Sequence, residues 1–346
     1  MKQTVIFLSA MMILAGLNSC NQGISVVRAS GLAYEVCVVM EQSLWDNELG
    51  ETVMEELTSP VPYLLQDEPS MRVTRVTPDQ FDGLLKYMRN ILIINVDNNK
   101  YTKVSMHSEH DKWADGQTVV YINSPSELML DGYLTENERM LVNYFNNEEM
   151  KRASAYLLRS YSPLVMDKVK DKFGISLNAP NDITLFKEGD DCLWFSNDAA
   201  LGRCDLLVYS FPFTDKNTFT LDYLVAKRDS VAKKLVPGSF AGSYMATEKR
   251  VVDFFPSTLN NKYCGILRGW WKMEGGDMMG GPFVSYARVD EANKRVIVTE
   301  GFVYEPNKEK RKYIRRLEAA LRTALLPDEL SAAPASPTAV IPNLKE

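Results

Sequence analysis

The chain has 346 residues, of which 45% are hydrophobic and 24% charged, and its formal net charge is −6. These fractions are those of an ordinary globular protein, and the length suffices for two domains or one large one. The acidic balance argues against a general nucleic-acid-binding protein, because such a protein would be basic.

Residues 1–19 have the pattern of a bacterial lipoprotein signal peptide. Lys2 precedes an apolar run over residues 5–17, and Leu17-Asn18-Ser19-Cys20 follows directly. A basic end, a short apolar core and small residues before the cleavage point define a secretory signal. The cysteine makes this one a lipobox, with a plain secretory signal as the alternative. We expect Cys20 to be acylated, for example with palmitate, and to anchor the protein in a membrane without a transmembrane helix.

The residues after Cys20 refine the predicted location. Residues 20–32 are mostly small or polar and show no periodicity, so they predict a flexible tether. Asn21-Gln22-Gly23 contains no aspartate of the kind that favours retention in the inner membrane. The prediction is therefore a lipid-anchored protein of the cell envelope, on the periplasmic face of the outer membrane.

An N-terminal lobe is predicted over residues 33–161. Helices are expected from Asp46, from Thr77-Pro78-Asp79 to about Asn90, and from a capping box at Thr135-Glu136-Asn137-Glu138 to about Ser160. Apolar and β-branched residues predict strands at 34–40, 71–76, 91–96, 101–106 and 118–122.

A C-terminal lobe is predicted over residues 162–326. Helices are expected from Ser162-Pro163 to Gly174, over 220–235, and after Pro306. Strands are expected at 175–177, 183–187, 192–196, 203–211, 264–273, 283–289 and 295–304. Residues 327–346 are rich in Pro, Ala and Ser and predict a disordered tail. The predicted class is α+β, with antiparallel or mixed sheets, helices packed on one face, and two lobes.

Cys192 and Cys204 lie on two predicted strands that a short turn joins. If the hairpin is centred near Asp198, the two cysteines face each other and a disulfide can form. Two buried free cysteines are an equally good interpretation. The spacing matches no zinc pattern, and no metal site is predicted.

The three C-terminal strands supply the candidate binding surface. A symmetric loop between the first two would place Trp270 opposite Tyr286 and Arg268 opposite Arg288, with Glu300 on the same face. Such a group could bind a sugar, a peptide or an anion by stacking and bidentate hydrogen bonds. The alternative is an ordinary solvated sheet surface with cross-strand pairs.

Catalytic patterns are weak. The two histidines, His107 and His110, lie in Met106-His107-Ser108-Glu109-His110-Asp111, without the His-Glu-x-x-His spacing of a metallopeptidase. The chain also lacks a Gly-x-Ser-x-Gly elbow. We therefore predict neither a catalytic metal nor a cofactor, and a polar loop is the favoured interpretation of the histidine segment.

Four segments resemble an uncharacterised bacterial lipoprotein family, domain of unknown function 4837. They are Leu64-Leu65-Gln66-Asp67-Glu68-Pro69, Trp113-Ala114-Asp115-Gly116-Gln117, Gly280-Gly281-Pro282-Phe283 and Glu300-Gly301-Phe302-Val303-Tyr304. The resemblance extends from about Tyr34 to Leu326. It implies a Gram-negative envelope lipoprotein, and it implies no activity and no catalytic residues.

The preferred functional hypothesis is a non-catalytic envelope module that binds a partner protein or a glycan around Trp270 and Tyr286. The alternative is a hydrolase of envelope or carbohydrate polymers that uses Glu300 or the carboxylates near His107. A third reading, an assembly scaffold, would require a large exposed apolar patch.

Overall fold

The computed structural model describes residues 27–306 and 308–331. Its first sheet is mixed and has the strand order β2-β1-β3-β5-β4, with β4 antiparallel at one edge and the other pairs parallel. The central strands are apolar on both faces, as expected for parallel strands that are covered twice. The five strands are β1 (Glu35–Val39), β2 (Arg72–Val76), β3 (Asn90–Val96), β4 (Ser105–His110) and β5 (Thr118–Ser124).

Helices cover one face of this sheet and contribute most of the first core. They are α1 (Gln42–Trp45), α2 (Glu48–Thr58), α3 (Glu127–Glu136) and α4 (Met140–Leu157). The opposite face carries a smaller cluster, which a 3-10 turn at Gly83–Tyr87 and Trp113 help to cover.

The second sheet is antiparallel throughout and has the order β6-β7-β8-β12-β11-β10-β9. Its long central strands alternate between two buried faces, so each face needs its own cover. The seven strands are β6 (Leu185–Gly189), β7 (Cys192–Ser196), β8 (Arg203–Pro212), β9 (Tyr244–Leu259), β10 (Lys262–Glu274), β11 (Gly280–Asp290) and β12 (Arg295–Tyr304).

Helices cover both faces of the second sheet. Helices α5 (Pro163–Phe173) and α7 (Arg311–Leu321) pack on one face, and α6 (Leu221–Leu235) packs on the other. The predicted α+β class with antiparallel and mixed sheets is confirmed, although the prediction had helices on one face. Among the described residues, no helix has the length and apolarity needed to cross a membrane.

Two predicted helices in the first lobe have other boundaries. After Thr77 the chain forms only the turn at Gly83–Tyr87, where Gly83 has a φ of +54°. The helix expected from Thr135 begins at Met140, because Arg139 adopts a φ of +60° and the Glu56 carboxylate accepts hydrogen bonds from three backbone N–H groups there. Glu56 is distant in the sequence from the start of α4, so a local sequence pattern cannot predict this cap.

Two further differences lie in the second lobe. The prediction omitted β9, a long edge strand that contains Pro256 and the charged run Glu248-Lys249-Arg250. Edge strands tolerate both features, which obscure a strand pattern. The start of the predicted tail is also ordered, because Pro327–Leu330 forms a short helix, α8, and Glu329 pairs with Arg288.

Helices α4 and α7 join the two lobes. The Ser154 hydroxyl donates to the Ala319 carbonyl over 3.0 Å, and Met150 and Leu157 pack on Ala319 and Ala320. The small alanine side chains let the two helices approach closely. The packing of α4 on α7 therefore connects the first lobe to the second.

Candidate binding cleft between the lobes

The predicted cross-strand pairs in the meander are wrong in register. Trp270 lies opposite Pro282, and Tyr286 lies opposite Ile266. The loop is shorter than a symmetric one over 275–281, because Gly280 and Gly281 continue β11. A side chain at Gly280 would lie 2.7 Å from Trp270 Nε1, so glycine is needed for the indole to lie over the strand.

The predicted surface is largely interior. Tyr286 is buried, and its hydroxyl donates to Glu318 Oε1 over 2.9 Å. Arg288 is also buried and donates to Glu329 and to the carbonyls of Ala324 and Leu259. Trp270 is half-buried. Tyr286 and Arg288 are therefore unavailable to an external partner.

Glu300 lies on the opposite face from the one predicted, since it pairs in register with Ser285. It is completely buried beneath α6, where Arg228 Nε donates to both carboxylate oxygens over 3.0 Å. Burial raises the pKa of Glu300, and the Arg228 charge opposes that rise. Arg228 also contacts Thr247, the Phe283 ring, the Met245 sulfur and the Asp229 carboxylate. Glu300 is part of a buried ion pair in the core.

Of the two interpretations of the cysteine pair, the structure has the one without a disulfide. Cys192 lies opposite Tyr209, whereas Cys204 lies beside Asn197, and both thiols are free. Burial raises the pKa of Cys204 to about 12, which makes it an unreactive core residue.

The two histidines contact different partners. The His107 ring stacks on Tyr121 with centroids 4.8 Å apart, and His110 Nε2 lies 3.1 Å from Glu148 Oε2. Within residues 27–306 and 308–331, no group of three or more His, Cys, Asp or Glu side chains is placed to hold a metal ion.

A cleft of about 230 Å³ opens between the lobes, and Arg268 is the predicted site residue that lines it. The first lobe contributes polar side chains from α4, and the second contributes charged side chains from α7 and its C-terminal end. The polar and charged lining residues are Arg139, Asn143, Asn146, Asn147, Arg268, Arg315, Glu318 and Arg322.

Glu318 is the centre of a buried charge group in this cleft. Arg268 donates to both of its oxygens, and Arg322 Nη2 lies 3.9 Å from Oε1. Burial alone would raise the pKa of Glu318. The Arg268 charge and its hydrogen bonds outweigh burial, with help from Arg322 and Tyr286, and lower the pKa to about 2. The carboxylate is therefore ionised at neutral pH.

Arg315 is a further buried cation beside the cleft. Its guanidinium lies 4.1 Å from the centroid of the Tyr34 ring and donates to the Ser70 carbonyl over 3.0 Å. Burial lowers the pKa of Arg315 to about 10, which still leaves it charged at neutral pH. Its described contacts are a carbonyl and a ring, so its charge adds to the positive potential of the cleft.

Two polar side-chain atoms of residues that line the cleft lack a hydrogen-bond partner within the part of the chain that the structure describes. Arg322 Nε and Asn146 Oδ1 are buried and have no hydrogen-bond partner among the described residues. Arg322 is 5% exposed. Because buried polar groups are normally paired, these two atoms, which belong to residues that line the cleft, are candidates for hydrogen bonds to a ligand group.

One wall of the cleft is a loop from the first lobe, which contributes residues 61–64. The Tyr63 hydroxyl donates to Asp253 over 2.9 Å, and its ring contacts Phe255 edge-on. Glu68 accepts hydrogen bonds from the backbone N–H groups of Lys310 and Arg311 at the start of α7. A carboxylate at a helix N-terminus is a favourable contact, so it holds this loop against the second lobe.

Most of the cleft residues were not identified from the sequence, although their helical spacing is visible in it. Arg315, Glu318 and Arg322 are spaced so that they share one face of a helix. Asn143, Asn146, Asn147 and Met150 repeat at similar spacing on α4. Polar residues at helical spacing normally indicate a solvated face, and only the packing of the two helices shows otherwise.

The fold is thus a two-lobed α+β protein with a cationic cleft between the lobes. Residues 162–323 match the family Domain of unknown function (DUF4837), which confirms the resemblance over this part of the chain. Residues 29–157 match a second family, Domain of unknown function (DUF8532), so the resemblance to the first is narrower than expected. No curated protein matches the sequence significantly. Neither family description names an activity, so the function must be argued from the cleft.

Proposed function

We propose that this protein is a lipid-anchored envelope protein that binds a small ligand in the cleft between its lobes, without catalysing a reaction. The observation that carries the proposal is the cleft itself, where the two lobes place buried, incompletely paired polar groups beside an apolar wall. Concave sites with a few convergent polar groups are typical of small-molecule binding.

The chemistry of the cleft favours binding over hydrolysis. Among the described residues that line it, Glu318 is the one carboxylic acid. A pKa of about 2 leaves Glu318 without a proton to donate, and Arg268 and Tyr286 occupy its oxygens. General acid catalysis requires a pKa nearer the working pH. Glu300, the carboxylate of the alternative hydrolase hypothesis, is buried elsewhere.

The lipid anchor is predicted from the sequence of residues 1–19 and Cys20, which lie outside the described residues. We expect Cys20→Ala to abolish incorporation of labelled palmitate and to release the protein from the membrane fraction. Metabolic labelling and fractionation measure both. Cys37→Ala is the matched control, because Cys37 is a buried free thiol. Equal labelling of the Cys20→Ala variant and the wild type would contradict the anchor.

Filling the cleft tests the binding function. Asn143→Trp places an indole in the cleft, whereas Asn99→Trp places one on an exposed turn. The full chain is purified from native envelopes in mild detergent and analysed by native mass spectrometry. We expect a small-molecule adduct of the same mass on the wild type and on Asn99→Trp, and its loss from Asn143→Trp.

Circular dichroism establishes that both variants are folded. Native mass spectra that show the same adduct on all three proteins, or no adduct on any of them, would contradict ligand binding in this cleft.

A further inference from the structure

We infer that the cleft binds the C-terminal end of a peptide or an acylated amino acid, through its free carboxylate, the adjacent amide N–H and an apolar last side chain. This inference rests on the proposed function, because it specifies the ligand of the same cleft. Three features of the cleft lead to it, namely its charge, its unpaired atoms and its apolar wall.

The positive charge of the cleft favours an anionic ligand. Four arginines line it, and Glu318 is the single carboxylate among the described lining residues. One added carboxylate would still leave the cations in excess, so the site can accept it without net repulsion. Arginine's planar guanidinium matches a carboxylate in shape as well as in charge.

The two unpaired atoms have opposite hydrogen-bonding roles. Arg322 Nε is a donor that requires an acceptor, and Asn146 Oδ1 is an acceptor that requires a donor. A C-terminal residue supplies both within one short unit, the carboxylate oxygen and the N–H of its own amide. Inorganic phosphate supplies charge and a P–OH donor but no apolar group, and a neutral sugar supplies no charge.

The remaining wall of the cleft is apolar. It includes Val61, Leu64, Met150, Phe255 and Ile314, from both lobes. An apolar side chain next to the carboxylate would contact this wall and gain the free energy of burial. Such a side chain also distinguishes the proposed ligand from a small inorganic anion.

A free C-terminus with this chemistry can come from a protein, as an L-residue, or from a wall peptide, as a D-residue. Isothermal titration calorimetry of the full chain in detergent separates these sources. The probes are acetyl-alanyl-leucine in its L,L and D,D forms, the C-terminal amide of each, and inorganic phosphate. We expect one stereoisomer to bind and its amide to bind at least tenfold more weakly, because the amide has lost the charge that Arg322 recognises.

Substitutions then locate the contact. Arg322→Lys retains the charge but not Nε, and Asn146→Leu removes the acceptor at similar volume. Each should weaken the acid at least tenfold, and Asn146→Leu should reduce the preference for acid over amide less than Arg322→Lys does. Arg250→Lys, at an exposed arginine that does not line the cleft, is the matched control and should leave the binding of every probe unchanged. The acid-to-amide comparison on the wild type requires no substitution, so it stands even if a variant fails to fold.

The outcomes separate the two proposals. Equal affinity for the acid and the amide would overturn the peptide inference. So would binding of phosphate alone, if Arg322→Lys abolished that binding. In either case the cleft would bind another ligand. The absence of binding by every probe would also overturn the inference. If the native adduct were absent as well, the proposed function would fail independently.

Discussion

Glu318→Gln is expected to lower the free energy of unfolding by about 3–5 kcal/mol, the usual loss when one member of a buried charge group is removed. The carboxylate compensates the largely buried guanidinium of Arg268 and accepts the Tyr286 hydrogen bond. A neutral amide cannot balance the Arg268 charge, so that cation is left uncompensated. Urea denaturation at pH 7, followed by far-ultraviolet circular dichroism, measures the loss.

The loss of stability caused by Glu318→Gln should depend on pH. The pKa of Glu318 is about 2 in the folded protein, below the value of roughly 4.3 for an unfolded glutamate. A lowered pKa contributes stability that is present above the unfolded value and is lost as the pH falls towards the folded value. The difference between wild type and Glu318→Gln should therefore shrink between about pH 4.5 and pH 2.

Glu188→Gln is the control for Glu318→Gln. Glu188 pairs with Lys172 at the surface, where water screens the interaction. We expect almost no change in its denaturation midpoint. A midpoint for Glu318→Gln that equals that of Glu188→Gln at pH 7 would show that Glu318 is not part of a buried charge group.

Arg228→Met is expected to cost about 3–5 kcal/mol as well, because it leaves the fully buried Glu300 carboxylate without its partner. Burial already raises the pKa of Glu300. Without Arg228 the pKa rises further, and a raised carboxylate pKa contributes stability that is lost as the pH increases above the unfolded value. The variant should therefore be closer in stability to the wild type at pH 4 than at pH 7.

A double variant gives the complementary test. Arg228→Met combined with Glu300→Leu replaces the ion pair with apolar side chains, and it should recover more than half of the single-variant loss. Arg250→Met is the control, because the Arg250 side chain is 86% exposed where it pairs with Glu248. Equal losses in the single and double variants would mean that side-chain packing, and not the unpaired charge, sets the cost.

Local patterns predicted several elements correctly. Ser162 caps α5 through its side chain, Pro163 begins the helix, and Gly174 ends it with a φ of +68°, as the sequence indicated. These signals depend on residues adjacent in the chain, so they can be recognised without the tertiary structure. The helix predicted after Pro306 likewise corresponds to α7, which begins at Arg311.

The candidate site depends on contacts that local patterns do not contain. In the observed register Trp270 lies opposite Pro282, and a side chain at Gly280 would be too close to the Trp270 indole. The length of the loop alone does not predict this register. The cleft forms because α4 and α7 pack together from different lobes. Of the predicted site residues, Arg268 lines the cleft. The sequence pattern places Tyr286 and Arg288 on an open surface, which α7 and α8 cover in the structure.

The most direct test of ligand binding in the cleft is methyl nuclear magnetic resonance of the full chain labelled at methionine. Met150 lines the cleft, and Met278 is fully exposed on the loop between β10 and β11. Met150→Leu and Met278→Leu assign the two signals. When the low-molecular-mass extract of native envelopes is added, the Met150 signal should shift and the Met278 signal should not. A Met150 signal that stays in place while the extract is in excess would contradict the account.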